Sequence, residues 1–269
     1  MLIDSHCHLG FKELGDHGPE TYEILKLAKQ NGVGLILDIA TDIKNFNSYL
    51  NFSRNQFNNE YPIIYTALGI HPLHVKDNLN FKKSDIESHL ANKKIIALGE
   101  TGLDYYYSIE NMEAQKDFFR QHIELAASND LPLIIHSRQA EADTINILKE
   151  SNQKFTNVIG VMHCFTGNLE FAVKALDLGF YISFSGILTF KNAEDIKEVA
   201  KFVPVDKILI ETDAPYLAPP PHRGVINQPS YLKHTFDFLC NLREVKDKQS
   251  FAKQLQNNFF NLFKKAQSY

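Results

Sequence analysis

Apolar residues take two spacings along this chain, and the two alternate from end to end. Short runs such as GLILDIA, IIALG, LPLII and VIGVM are apolar at nearly every position. Longer stretches between them carry apolar residues three and four apart. A continuous apolar run fits a strand buried on both faces, as in a parallel sheet covered by helices, whereas the three-four spacing marks one face of a helix. The pattern predicts strands over 2–7, 33–39, 62–69, 94–99, 131–135, 157–162, 180–184 and 207–210. Helices are predicted over 20–30, 43–57, 82–91, 111–128, 140–150, 169–178, 193–202 and 230–240. Eight strand–helix units fit the length of one (β/α)8 TIM barrel, and an open doubly wound sheet is the competing α/β arrangement. Beyond them Phe251, Leu255, Phe259, Leu262 and Phe263 recur at helical spacing, so an extra C-terminal helix is expected over 248–263. No linker or repeat breaks the alternation, and a single barrel domain is expected over 1–269.

Composition narrows the setting. Hydrophobic residues make up 44% of the 269, ample for a large core. No run of about 18 apolar residues offers a membrane span. Polar residues of candidate function begin at Asp4, which leaves no room for a leader with charged and apolar regions, so a cytoplasmic protein is expected. Three cysteines without a CxxC pair fit a reducing compartment. A formal net charge of −4 is not the footprint of a protein that coats nucleic acid, but it leaves room for a local cationic pocket.

The polar residues that interrupt the apolar strands fall at their C-terminal ends. Asp4, His6 and His8 alternate along the first strand and so share a face. His71 follows the third strand in GIHP, and Glu100 closes the fourth in LGETGLDYYY. His136 closes the fifth in LIIHSR, His163 the sixth in VMHCFTG, and Glu211 and Asp213 the eighth in LIETDAPYL. In a parallel barrel these ends form one face, where function gathers. Imidazoles and carboxylates suit a divalent ion such as Zn, Mn, Mg or Co. Four histidines and two carboxylates exceed the needs of one tetrahedral ion, and a carboxylate such as Glu100 could bridge two. Cys7 and Cys164 each adjoin a candidate histidine; strand neighbours point opposite ways, so both are read as core fillers.

The motifs DSHCHL, GIHP, GETGLDYYY, IIHSR, MHCFTG, ETDAPYL and PPPHRGVINQP run in this order from Asp4 to Pro229. They resemble those of the TatD family of metal-dependent deoxyribonucleases, within the amidohydrolase superfamily. The resemblance implies two divalent ions, with His6 and His8 on one and Asp213 in support. It puts His136 and His163 on the second, with Glu100 bridging. Some amidohydrolases bridge with a carbamylated lysine, but here the fourth strand ends in Glu100 with no lysine beside it. The resemblance also implies DNA as substrate, as single strands or ends trimmed from the 3′ side, and no membrane partner.

On this reading Asp213 orients the attacking water and takes its proton, which makes it the candidate base. Arg223 is the candidate phosphate clamp, because guanidinium matches phosphate bidentately. His71, aimed by the following Pro72, is a second candidate phosphate contact. Asp4, Asp104 and Glu211 are expected behind the ligands, orienting them. Tyr105, Tyr106 and Tyr107 offer ring faces for bases or sugars. The same metal site would suit an ester or amide hydrolase, such as an aminoacyl-RNA deacylase, and fold alone does not choose. A metal-stabilised scaffold without activity fits least, because a candidate base accompanies the ligands.

Overall fold

The computed structural model describes residues 1–54 and 59–266. Its strands are β1 (Leu2–Cys7), β2 (Val33–Ala40), β3 (Ile63–Leu68), β4 (Ile95–Asp104), β5 (Leu133–Arg138), β6 (Gly160–Met162), β7 (Tyr181–Phe184) and β8 (Ile208–Ile210). They form one sheet in sequential order, and each neighbouring pair is parallel. A parallel bridge between Cys7 and Ala214 joins the two edges. Asp213 N donates to His6 O and His8 N to Ala214 O, which extends that seam. The sheet is therefore a nearly closed barrel, not the open doubly wound alternative. The helices are α1 (Pro19–Gln30), α2 (Phe46–Arg54), α3 (Lys83–Glu87), α4 (Met112–Ser128), α5 (Glu141–Lys154), α6 (Leu169–Asp177), α7 (Glu194–Phe202), α8 (Leu232–Leu242) and the extra α9 (Lys248–Leu262). No helix among the described residues is long and apolar enough to cross a membrane.

Strand alternation divides the core into two layers. Leu35, Leu37, Ile96, Ile134, Val161 and Leu209 belong to one cluster with Ile3 and Ala67. Val33, Ile36, Ile64, Ile95, Leu133 and Ile135 join the other, which includes residues of the surrounding helices. Helix α9 enters the first cluster through Phe259, Leu262 and Phe263. Its Asn258 is fully buried and donates to Val205 O and Ile208 O, beside the start of β8. The extra helix thus packs at the N-terminal end of the barrel, and the polar cluster described below occupies the other end.

Several boundaries differ from the sequence prediction. The apolar pattern ends β4 at 99 and β5 at 135, whereas the strands run to Asp104 and Arg138. Polar side chains lower strand propensity there, yet pairing continues through Gly102–His136 and Asp104–Arg138. Gly102 makes that approach possible: it has φ +132°, and a Cβ on it would lie 2.0 Å from His136 O. Conversely β6 and β8 span only three residues each, so His163 and Asp213 lie just past them. The stretch predicted as a helix over 82–91 is helical only at Lys83–Glu87 and continues as tight turns. The helix predicted over 43–57 opens with a single 3₁₀ turn, Ile43–Asn45, capped by Asp42, before α2. Its residues 55–57 lie outside the described residues.

One buried histidine outside the polar cluster carries a stability prediction. His122 on α4 is fully buried; its ring bonds to Phe118 O and accepts from Ile70 N. Burial lowers its pKa from 6.5 to about 4. The unfolded chain then binds the extra proton between those values, so stability is complete above pH 6.5 and falls as pH drops toward 4. The loss is about 3 kcal/mol by pH 4. Urea titrations of wild type and His122→Gln at pH 7 and pH 4.5 should show a smaller acid loss in the variant. Equal losses would remove His122 from the acid sensitivity.

Candidate metal centre

Five imidazoles surround one carboxylate at the C-terminal end of the barrel. Glu100, on β4, is 3% exposed. Its Oε1 faces His163 Nε2 at 2.7 Å, His136 Nδ1 at 3.0 Å and His71 Nε2 at 3.3 Å. Its Oε2 faces His6 Nε2 at 3.4 Å and His8 Nε2 at 3.8 Å. The two oxygens of one carboxylate therefore address two different sets of histidines. Asp213 Oδ1 lies 3.6 Å from His8 Nε2 and 3.8 Å from His6 Nε2.

The tautomers follow from the outer hydrogen bonds. His8 Nδ1 lies 3.2 Å from Ile39 O and must donate to it, which leaves the Nε2 lone pair facing inward. His6 Nε2 is 3.2 Å from His8 Nε2. Two nitrogens sharing a tetrahedral zinc at bonds of about 2.0–2.1 Å would sit about 3.3 Å apart. His163 Nδ1 faces Glu211 Oε1 at 3.3 Å. Its buried Nε2 makes no hydrogen bond despite its closeness to Glu100, and His6 Nδ1 is also without one. His136 Nε2 meets Asp104 Oδ2 at 3.1 Å, so both of its nitrogens touch carboxylates. His71 differs from the others. Its Nδ1 accepts from Leu73 N, so in the neutral ring Nε2 carries the proton and has no lone pair for a cation.

The charges favour a cation at the centre. Burial would push the Glu100 carboxyl up, but the histidines, His163 foremost, hold it well below the carboxylate range. Burial also opposes charge on His163, yet Glu100 and Glu211 hold it well above the usual imidazole value. His8 and His136 are likewise raised against burial, the first chiefly by Asp213 and the second by Asp104 and Glu100. Burial lowers His6, and His71 falls to about 4. A centre that strengthens three imidazoles as proton acceptors favours positive charge, whether carried by protons or by a divalent ion. The sets His6–His8–Glu100 and His6–His163–Glu211 each bring three donor atoms within 4.8 Å of one another; His71–Glu100–His136 is equally close, but its His71 nitrogen at the centre carries a proton in the neutral ring. The donor chemistry and the orphaned nitrogens fit a divalent ion.

The acids expected behind the ligands occupy distinct places. Glu211 accepts from Cys164 N and Ser183 Oγ, both at 2.6 Å, while facing His163. Asp104 holds the His136 ring with one oxygen and Tyr107 N with the other. Asp4 accepts from Thr212 N and Thr212 Oγ1, and so ties β1 to the residue before Asp213. Asp213 itself has φ +56°, and its carboxylate faces His6 and His8.

Arg223 is exposed. Its guanidinium lies 3.6 Å over the Phe190 ring and Nη1 donates to Ala218 O, so these contacts hold it to the loop after β8 and the segment before α7 and not to the histidines. Tyr105 donates to Asp143, whereas Tyr106 and Tyr107 are exposed. Cys7 is fully buried as expected, but Cys164 is not a core filler. It lies past β6 with φ +41°, so strand alternation does not govern it, and its Sγ reaches Ser185 Oγ at 3.2 Å.

Four residues near the centre carry no signal that the sequence analysis uses. His17 Nε2 pairs with buried Asp38, whose other oxygen accepts from Leu9 N beside His8. Phe11 stacks on the His8 ring at 4.6 Å. Arg138 ends β5 two residues after His136, a spacing of the same kind as His6–His8 and the one signal that could have found it.

Known proteins resemble this chain over most of its length. The family profile described as TatD related DNase matches residues 3–264. A protein of Buchnera aphidicola subsp. Baizongia pistaciae, named as a metal-dependent hydrolase, is 43% identical over 263 residues, covering 98% of this chain and 96% of its own. The metal-dependent hydrolase YabD of Bacillus subtilis is 38% identical over 245 residues, covering 91% and 92%. The crystal structure of the TatD homologue YjjV from Escherichia coli superposes with a TM-score of 0.89 at 30% identity, covering 98% of both chains.

Proposed function

The chain belongs to the TatD-related DNase family of metal-dependent hydrolases, and from that membership we propose that it cleaves phosphodiester bonds of DNA, as single strands or 3′ ends, with two divalent ions. The observation that carries the two-ion reading is Glu100, whose oxygens address His6 and His8 on one side and His136 and His163 on the other. Bound ions would acidify the attacking water and offset charge on the phosphate.

The chain's own groups supply the rest. Asp213 takes the proton of the attacking water at its carboxylate, which the bond to His8 and the charges of His6 and His163 hold below the usual range against burial. It is therefore ionised and ready at neutral pH. Asp104 and Glu211 fix the ring orientations of His136 and His163. His71 donates from Nε2 toward the centre, where a non-bridging phosphate oxygen would accept. Arg223, without a carboxylate partner among the described residues, stands as the outer phosphate contact.

Chelator-stripped protein, restored singly with Mg, Mn, Zn or Co, tests the reading on labelled single- and double-stranded DNA beside RNA and ester substrates. Activity should vanish on stripping and return with at least one ion, on single-stranded DNA first. Failure to cut any phosphodiester with any ion overturns the proposal, and ester cleavage alone would favour the deacylase reading.

A further inference from the structure

We propose that Tyr106, Tyr107 and Arg138 form a base-and-phosphate subsite that holds the nucleotide next to the scissile phosphate of a single strand. The proposal rests on the phosphodiesterase reading and names how that site grips its substrate. Tyr106 and Tyr107 are 53% and 59% exposed, although rings of this size usually bury most of their surface. They stand edge to face, centroids 4.6 Å apart. The Arg138 guanidinium lies over both, 4.4 Å and 4.7 Å from the centroids. Among the described residues Arg138 has no carboxylate partner. A guanidinium resting on ring faces keeps its in-plane N–H donors for an anion.

The position of this cluster is tied to the centre by one side chain. Asp104 Oδ1 accepts from Tyr107 N while Asp104 Oδ2 meets His136 Nε2. Arg138 pairs in register with Asp104, and Tyr105 N donates to Arg138 O. The subsite is therefore indexed to the candidate metal centre through a buried carboxylate. On the far side of the mouth Phe11 stacks on His8, and the exposed Tyr216 stands edge-on to Phe11 at 6.3 Å. Aromatic faces thus flank the centre on both sides.

An occupant that is at once anionic and flat suits a lone cation set on exposed rings. A single strand meets both demands; a duplex does not, because its base faces are already stacked. With a formal net charge of −4, the chain has no general attraction for a polyanion, so local contacts of this kind must carry the binding.

The test is binding of a 5′-fluorescein phosphorothioate oligothymidylate, a charged strand that resists cleavage, to the metal-loaded full chain across a salt series. Arg138→Ala should weaken binding about tenfold and reduce the log–log salt slope by about 0.7, the loss of one phosphate contact on a single strand. Arg138→Lys should keep the slope. Tyr106→Leu/Tyr107→Leu should weaken binding about tenfold with the slope unchanged, and an abasic strand should not sense that change. Superimposable curves for wild type and Arg138→Ala at every salt concentration would overturn the proposal. So would a tyrosine variant that alters oligomeric state but not strand binding, which would assign the patch to a protein contact. Cleavage of bis(4-nitrophenyl) phosphate by wild type judges the phosphodiesterase reading separately: strand binding that depends on Arg138 without any such cleavage would keep the subsite and sink that reading.

Discussion

Glu100→Gln is expected to lower kcat/KM by about a thousandfold, about 4 kcal/mol of transition-state stabilisation. It is also expected to strip bound metal, read by elemental analysis of the purified protein. The substitution keeps the volume and one carbonyl oxygen but removes the charge. Five imidazoles then lose the anion they share, and the amide offers one acceptor where two oxygens had served two sides. Removing one member of a buried charged set costs more than the member contributed, because its partners stay buried and uncompensated. His163 would feel this most, since Glu100 is the chief cause of its raised affinity for a proton. A variant with wild-type metal content and wild-type rate would remove Glu100 from the bridging role.

The barrel could be read from the chain because each strand is buried on both faces. Such strands leave long apolar runs, and the helices between them carry a different period, so the order of elements survives in the sequence even where their limits do not. The limits failed where chemistry overrode propensity. The stretch GETGLD has two glycines and two acids and does not resemble a strand, yet it pairs with β5, where the ring of His136 meets both acids. Cys164 departs from strand parity for the opposite reason: β6 ends at Met162, so the alternation does not reach it.

The histidines and acids of the centre were legible because polar residues ending apolar strands stand out one at a time. The residues around them were not. Asp38 and His17 are 21 positions apart and meet only when the loop after β1 folds back. Arg138 meets Tyr106 and Tyr107 through the β4–β5 register, which no local pattern encodes. Contacts of this kind exist only once the strands are aligned, and a single sequence does not display them.

Asp213→Asn is expected to lower kcat by about a thousandfold or more, within the range that a positioned general base contributes, while metal content and thermal unfolding stay close to wild type. The backbone argues that the fold will accept the change. Asp213 has φ +56°, a conformation that asparagine adopts more readily than most residues, so no new strain is added. The hydrogen bonds of the seam use the Asp213 backbone N and not the side chain, and they survive. His6, His8 and Glu100 remain as a three-donor set. What disappears is the carboxylate's capacity to take a proton, since the amide accepts hydrogen bonds but is not a base. The acid limb of the wild-type pH–rate profile should therefore be absent from whatever activity the variant retains. A rate near wild type would end the base assignment. Loss of metal in step with loss of rate would make Asp213 a structural ligand instead, and Asp213→Glu separates these outcomes by keeping the charge while displacing the oxygens by one methylene.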